Sequence, residues 1–268
     1  MIERVVAGLL SLAVLIVVFV PLERVFPARR GQRVLRRELA LDLTFFAGQY
    51  LLWNALAVSA LSAMHRVLHA PPSLRVAVAS LSAPVQIVLA VILGDLCVYW
   101  FHRACHRYDF LWRFHAVHHS SEELDFVAAH REHPVDGLLT QASQNLPAIL
   151  LGLPMAWLAG IATFRAFWAV FVHSNVRVPL GPLRLLLGAP ELHHWHHARV
   201  RQSAHNFANL APWLDRLFGT HHLPEGPETW PLGLDEPLPE GYVPKLVAPF
   251  RASSRTPEAT PSRIGAPG

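Results

Sequence analysis

Charge is scarce in this chain of 268 residues: only 16% are Asp, Glu, Lys or Arg, against roughly 25% in soluble domains. Together with 52% hydrophobic residues, that excludes a long disordered protein. Cysteine is limited to Cys97 and Cys105, too few for a disulfide scaffold or a four-cysteine iron–sulfur cluster. Lysine occurs once, at Lys245, against 22 arginines. There is no HExxH motif and no Gly-rich dinucleotide fingerprint. No basic run is interleaved with aromatics, so nucleic acid is not an expected partner. Histidine, by contrast, is abundant. Of 17 histidines, 12 lie between His102 and His197. A hydrophobic, histidine-clustered chain with a net charge of +4 points to a membrane-embedded metalloprotein.

Four uncharged stretches carry the hydrophobicity: Val5 to Leu22, Leu43 to Met64, Val76 to Gly94, and Gly137 to Phe164. A transmembrane helix needs about 20 apolar residues, so each of the first three predicts one helix. The first is read as a retained anchor, because Pro21-Leu22-Glu23-Arg24 offers no small-residue cleavage site. The fourth is too long for one helix and contains Pro147 and Pro154, which predicts two helices or a re-entrant hairpin. The expected fold is all-α: an integral-membrane bundle of about four to five transmembrane or re-entrant helices under a cytosolic histidine-rich metal-binding cap. Residues 1–91 would form the N-terminal membrane helices, 92–222 the catalytic unit, 223–250 an extension and 251–268 a disordered tail rich in Pro, Ser and Thr. Six arginines between Glu23 and Asp42 place that loop, and with it the histidine region, on the cytoplasmic side.

The histidines are spaced for shared ligation. His102 and His106 are four apart. His115, His118 and His119 repeat at i, i+3, i+4, and so do His193, His196 and His197. On a helix each set shares a face. Eight imidazoles exceed the four to six ligands of one ion and suggest two, although imidazole suits Zn, Cu, Fe and Ni alike. His65, His69, His130, His205, His221 and His222 lack such spacing and read as ordinary surface or core residues. Asp95, two turns before His102 on an apolar helix, is a candidate to orient a ligand imidazole, since a carboxylate in a membrane helix is costly. Cys105 reads as a buried thiol.

Taken in order, His102/His106, His115/His118/His119, Arg131/His133/Pro134, His173/Asn175, His193/His196/His197, Asn206-Phe207 and Asp215 to Thr220 resemble the fatty acid hydroxylase / sterol desaturase superfamily. The resemblance covers about residues 92 to 222. It departs at Ala208, where the family often has Gly, and at His194, an additional histidine. It implies a non-haem di-iron membrane enzyme that uses O2 to hydroxylate or desaturate a C–H bond of a lipid. The ligands it implies are the eight histidines above, with His133 and His173 completing the set; Asn175 stands beside them as a supporting candidate. Electrons would come from a separate reductase or carrier. Two other readings compete: a non-enzymatic membrane metal-binding or transport protein, whose ligands should lie near mid-membrane, and a membrane zinc hydrolase, which needs three protein ligands and an acid/base Glu. The substrate lipid and the oligomeric state are not legible.

Overall fold

A computed structural model describes residues 1–200 and 204–251. Among them there are helices and only two isolated β-bridges, Pro27 with Val176 and Ala198 with Leu232, as the all-α expectation required. Helix α1 spans Ile2–Val25. Helix α2, Leu39–Gly48, runs through a π-helical turn at Gln49–Trp53 into α3, Asn54–Val67. Next come α4 (Pro72–Ala79) and α5 (Ala83–Arg107), then α6 (Asp109–His119), α7 (Pro134–Leu151) and α8 (Met155–His173). Three short helices follow: α9 (Pro190–His196), α10 (Trp213–Leu217) and α11 (Tyr242–Val247).

Helices α1, α5 and α8 are long and apolar enough to cross a membrane. The α2–α3 run, bent by 110° against α4, makes a fourth if the pair counts as one span. Their outer faces carry Leu9, Val17, Leu56, Val58 and Val88 exposed, the pattern of helices solvated by hydrocarbon rather than water.

The third uncharged stretch does not become one helix. It breaks at Ser80–Ser82, because α5 begins with proline in its first turn, where the missing N–H and fixed φ suit a helix start but not an interior. The span therefore shifts toward the C-terminus and carries His102 and His106 on its last turns. The fourth stretch does divide in two. Gly152 ends α7 at φ +77°, a left-handed cap that favours glycine, and Pro154 caps α8. Pro147 is accommodated inside α7. Past Arg251, the tail expectation falls outside the described residues.

Buried side chains lock the helix ends together. Leu15 and Phe19 of α1, Phe46 of α2, Phe126, Val127 and Val170 of α8 form one cluster. Beside it, the Glu23 carboxylate accepts from the backbone N–H groups of Phe126 (2.9 Å) and Asn175 (3.0 Å). The Arg36 guanidinium bridges Asp125 and Asp42, and Asp42 also receives Arg131, which reaches Glu38 as well. These ties fix the segments that follow α6 and α8, helices that both carry candidate ligand histidines.

Candidate metal centre

At Tyr108 the backbone turns extended (φ −114°, ψ 120°) and ends α5, so α6 folds back beside the last turn of α5. That brings His102 and His106 against His115 and His119, with His196 of α9 closing the group. His118, His173, His193 and His197 form a second group. Within each, one nitrogen per residue lies within 4.8 Å of the others. The two groups adjoin, with the His119 and His197 rings stacked at 4.3 Å.

Each three-histidine motif is thereby split between the groups. His115 and His119 go to the first, His118 to the second; His193 and His197 go to the second, His196 to the first. Residues at i, i+3 and i+4 fan over about 100° of a helix, enough to address two neighbouring sites instead of one.

Five of the nine clustered imidazoles have Nδ1 against an acceptor. His102 donates to the Phe207 carbonyl (2.8 Å), His115 to Asp136 (2.9 Å), His118 to the Arg131 carbonyl (3.0 Å), His173 to the Ala169 carbonyl (2.6 Å) and His196 to the His205 carbonyl (2.8 Å). With Nδ1 protonated, a neutral ring presents its lone pair at Nε2. Yet Nε2 of His102 and His115 are 3.0 Å apart, as are Nε2 of His118 and His173. Two lone pairs at that distance repel unless a cation lies between them. Two imidazoles side by side on one metal at about 2.1 Å have nitrogens about 3 Å apart. His106 Nε2 and His196 Nε2 are buried without a hydrogen-bond partner. The residues present therefore fit two metal ions, one in each group. Burial, and then the neighbouring imidazoles, hold His119, His193, His196 and His197 well below the ordinary histidine range, and burial brings His118 down to about 4. At neutral pH these rings are uncharged, the form that binds metals.

The remaining candidates sit elsewhere. His133 stands outside both groups: it caps α7, accepting from the Val135 N–H, and its Nε2 meets the Leu246 carbonyl. Among the described residues Asp95 bonds no histidine and is paired with Arg165 of α8. Asn175 accepts from the Arg29 N–H (2.8 Å), pinning the chain after α1. His194 points away, its Nδ1 on Glu228 (2.7 Å). The role expected of Asp95 falls to Asp136, on the first turn of α7, which also receives the Cys105 thiol (3.9 Å). The Asn-aromatic and Asp215 to Thr220 motifs build the shelf for His102. Asp215 accepts from the N–H groups of Phe207 (2.7 Å) and Ala208 (3.0 Å), and Asn206, at φ +57°, bonds Leu192 and His222. That loop aims the Phe207 and His205 carbonyls at their imidazoles. Removing the Asp136 carboxylate should matter accordingly: Asp136→Ala is expected to lower metal affinity about 10–100-fold without unfolding the protein. Metal titration of wild type and variant measures this, and equal affinities would contradict it.

Against the histidines lies a cavity of about 280 Å³. Tyr50, Trp53, Val98, Phe101, Leu138 and Val170 line it together with His102, His115, His118, His173 and His193. The π-helical turn contributes Tyr50 and Trp53, a local distortion of the kind often found at functional sites.

Among known proteins, the chain is similar to the ornithine lipid hydroxylase OlsE of Rhizobium tropici, 36% identical over 172 residues, which are 63% of this chain and 52% of that protein. It is similar to human alkylglycerol monooxygenase, 33% identical over 127 residues (47% of this chain, 28% of the other). It is also similar to the Delta(7)-sterol-C5(6)-desaturase of Nicotiana tabacum, 30% identical over 146 residues (52% and 51%). The chain thus spans about half, or less, of the length of these curated relatives. No solved structure matches it. The fatty acid hydroxylase family model matches residues 87–220, the segment that begins in α5 and contains all nine clustered histidines, and the chain belongs to that family.

Proposed function

We propose that this chain is an integral-membrane, non-haem di-iron oxidoreductase that uses O2 to hydroxylate or desaturate a C–H bond of a lipid. The observation that carries the reading is the pair of adjoining imidazole groups with opposed Nε2 lone pairs, bordered by a largely apolar cavity. Two iron ions held there would supply the redox capacity to activate O2 against an unreactive C–H bond. His102, His106, His115, His119 and His196 would hold one, and His118, His173, His193 and His197 the other. Nδ1 donation fixes which nitrogen each ring offers, and Asp136 adds negative charge behind His115. The cavity wall orients a lipid chain toward the histidines and keeps water away. The chain has no flavin or nicotinamide fingerprint, so a separate reductase or carrier would deliver electrons. The relatives named above act, by their names, on an ornithine lipid, an alkylglycerol and a sterol, which supports a lipid substrate here.

Purified full-length protein is expected to hold two iron ions and to consume O2 only when reductant and a lipid extract are both supplied. Tightly bound metal with no lipid-dependent O2 uptake would favour a metal-binding or transport protein instead. The arginine-rich loop before α2 supports a cytoplasmic position for the centre. Cysteines introduced at the exposed positions Arg33 and His69 should label from the cytoplasmic and the opposite side respectively; labelling of position 33 from outside alone would reverse the orientation.

A further inference from the structure

Glu132 lines the same cavity as the ligand histidines but holds none of them. Among the described residues its carboxylate has no hydrogen-bond or ion-pair partner, and the charge that acts on it is the like-signed Asp136. The adjacent Arg131 turns the other way, onto Asp42 and Glu38. Gly137, on the first turn of α7, makes room for the carboxylate: a Cβ there would stand 2.5 Å from Glu132 Oε2. Thr140 and Gln144, one turn apart on α7, face the cavity too, and their side chains have no protein partner among the described residues. Burial, and then the like charge of Asp136, push the Glu132 carboxyl above the usual carboxylate range, so without a counter-charge it is held protonated, and a ligand that brings the missing charge draws it into the ionised form.

Glu132 is the one carboxylate among the described residues of the cavity wall, and flanked only by a hydroxyl and an amide it makes a poor site for Ca2+ or Mg2+. Among the described residues the cation on the cavity wall is Arg165, and its guanidinium is taken up by Asp95, so an anionic headgroup finds no free cation there. Glu132 precedes α7 at the end of the bilayer-length helices where the histidines lie, the level at which a lipid head rests. We infer that Glu132 is a specificity-determining residue that binds an ammonium group on the head of the substrate lipid. The inference rests on the lipid-oxidising reading above.

The test uses iron-loaded full-length protein in phosphatidylcholine nanodiscs. The probes are N-palmitoyl-1,4-diaminobutane, whose free amine is protonated, and its N-acetylated derivative. Binding is measured under argon without reductant, where no turnover occurs, and air and a chemical reductant are then admitted together to follow oxidation of the lipid. A charge-assisted contact in a cavity is worth about 10–100-fold in affinity. Wild type should therefore bind the ammonium lipid at least about 10-fold more tightly. Glu132→Gln should lose that preference while binding the acetylated lipid as wild type does and keeping its iron, and Glu132→Asp should recover part of it. No preference in wild type, or an unchanged preference in Glu132→Gln, would overturn the assignment. So would a Glu132→Gln protein that loses its iron and binds neither lipid, since Glu132 would then be structural. Ammonium selectivity under argon with no oxidation in air would leave Glu132 as the head-binding residue and defeat the oxidising reading. Oxidation without ammonium selectivity would do the reverse.

Discussion

Replacing His197 by alanine will abolish lipid oxidation and lower bound iron, whereas His222→Ala will leave both close to wild type. Each residue ends a His-His pair, so the pair itself does not distinguish them. His197 is completely buried, with Nε2 3.1 Å from His193 Nε2 and its ring on that of His119. It belongs to the four-residue group and touches the other, so its loss disturbs both. His222 packs its ring near Trp195 and His205, and its defined hydrogen bonds use its backbone, with Asn206. Alanine preserves those. Changes behind a ligand typically cost 10–100-fold, and loss of the ligand itself should cost more than about 100-fold in turnover. Iron per chain and turnover of both purified variants, with helicity checked by circular dichroism, decide the matter. Equal losses would mean that the grouping of nitrogens misidentifies the ligands.

The largest effect on stability is expected at Asp42, remote from the ligands in sequence. Its carboxylate is fully buried between Arg36 and Arg131. Asp42→Asn removes the charge and leaves two enclosed guanidinium groups to Asp125 and Glu38. Breaking a buried pair in this way costs about 3–5 kcal/mol, on the order of a 10 °C fall in Tm for a chain of this size. Arg37 with Glu240 is the internal control: both side chains are largely exposed, and Arg37→Ala should barely move Tm. Because the Arg131 carbonyl orients His118, Asp42→Asn should also weaken metal binding. Thermal unfolding in detergent, with metal content read in parallel, tests both parts; an unchanged Tm would show that the network is already relaxed by solvent.

The clustering of the histidines was legible because helical spacing is local: His102 with His106, or His193 with His197, meet within one turn. Their division between two centres was not, since it depends on how α6, α8 and α9 approach one another. The partners of the buried charges were hidden for the same reason. Arg36 and Asp125 are 89 positions apart, and Asp95 and Arg165 are 70 apart. An apolar helix made Asp95 look like a neighbour of histidine, whereas the intramembrane arginine four turns of chain beyond α7 was its counter-charge. Asp136 left no local mark, as nothing in its own segment announces His115. The hydrophobic stretches located the membrane-length helices but not their limits, because Pro84 and Gly152, not hydropathy, decide where α5 begins and α7 stops.

The Nδ1 contacts carry an implication for inheritance. Four of the five acceptors, at Arg131, Ala169, His205 and Phe207, are peptide carbonyls, and no missense change at those codons deletes a carbonyl. Only Asp136 presents an acceptor that a single nucleotide can remove. An insertion or deletion of one residue in the segments around 131 or 205 to 207, by contrast, would turn the carbonyl away from its ring. Ligand orientation in this protein should therefore tolerate substitution across most of its supporting residues and fail on small changes of loop length.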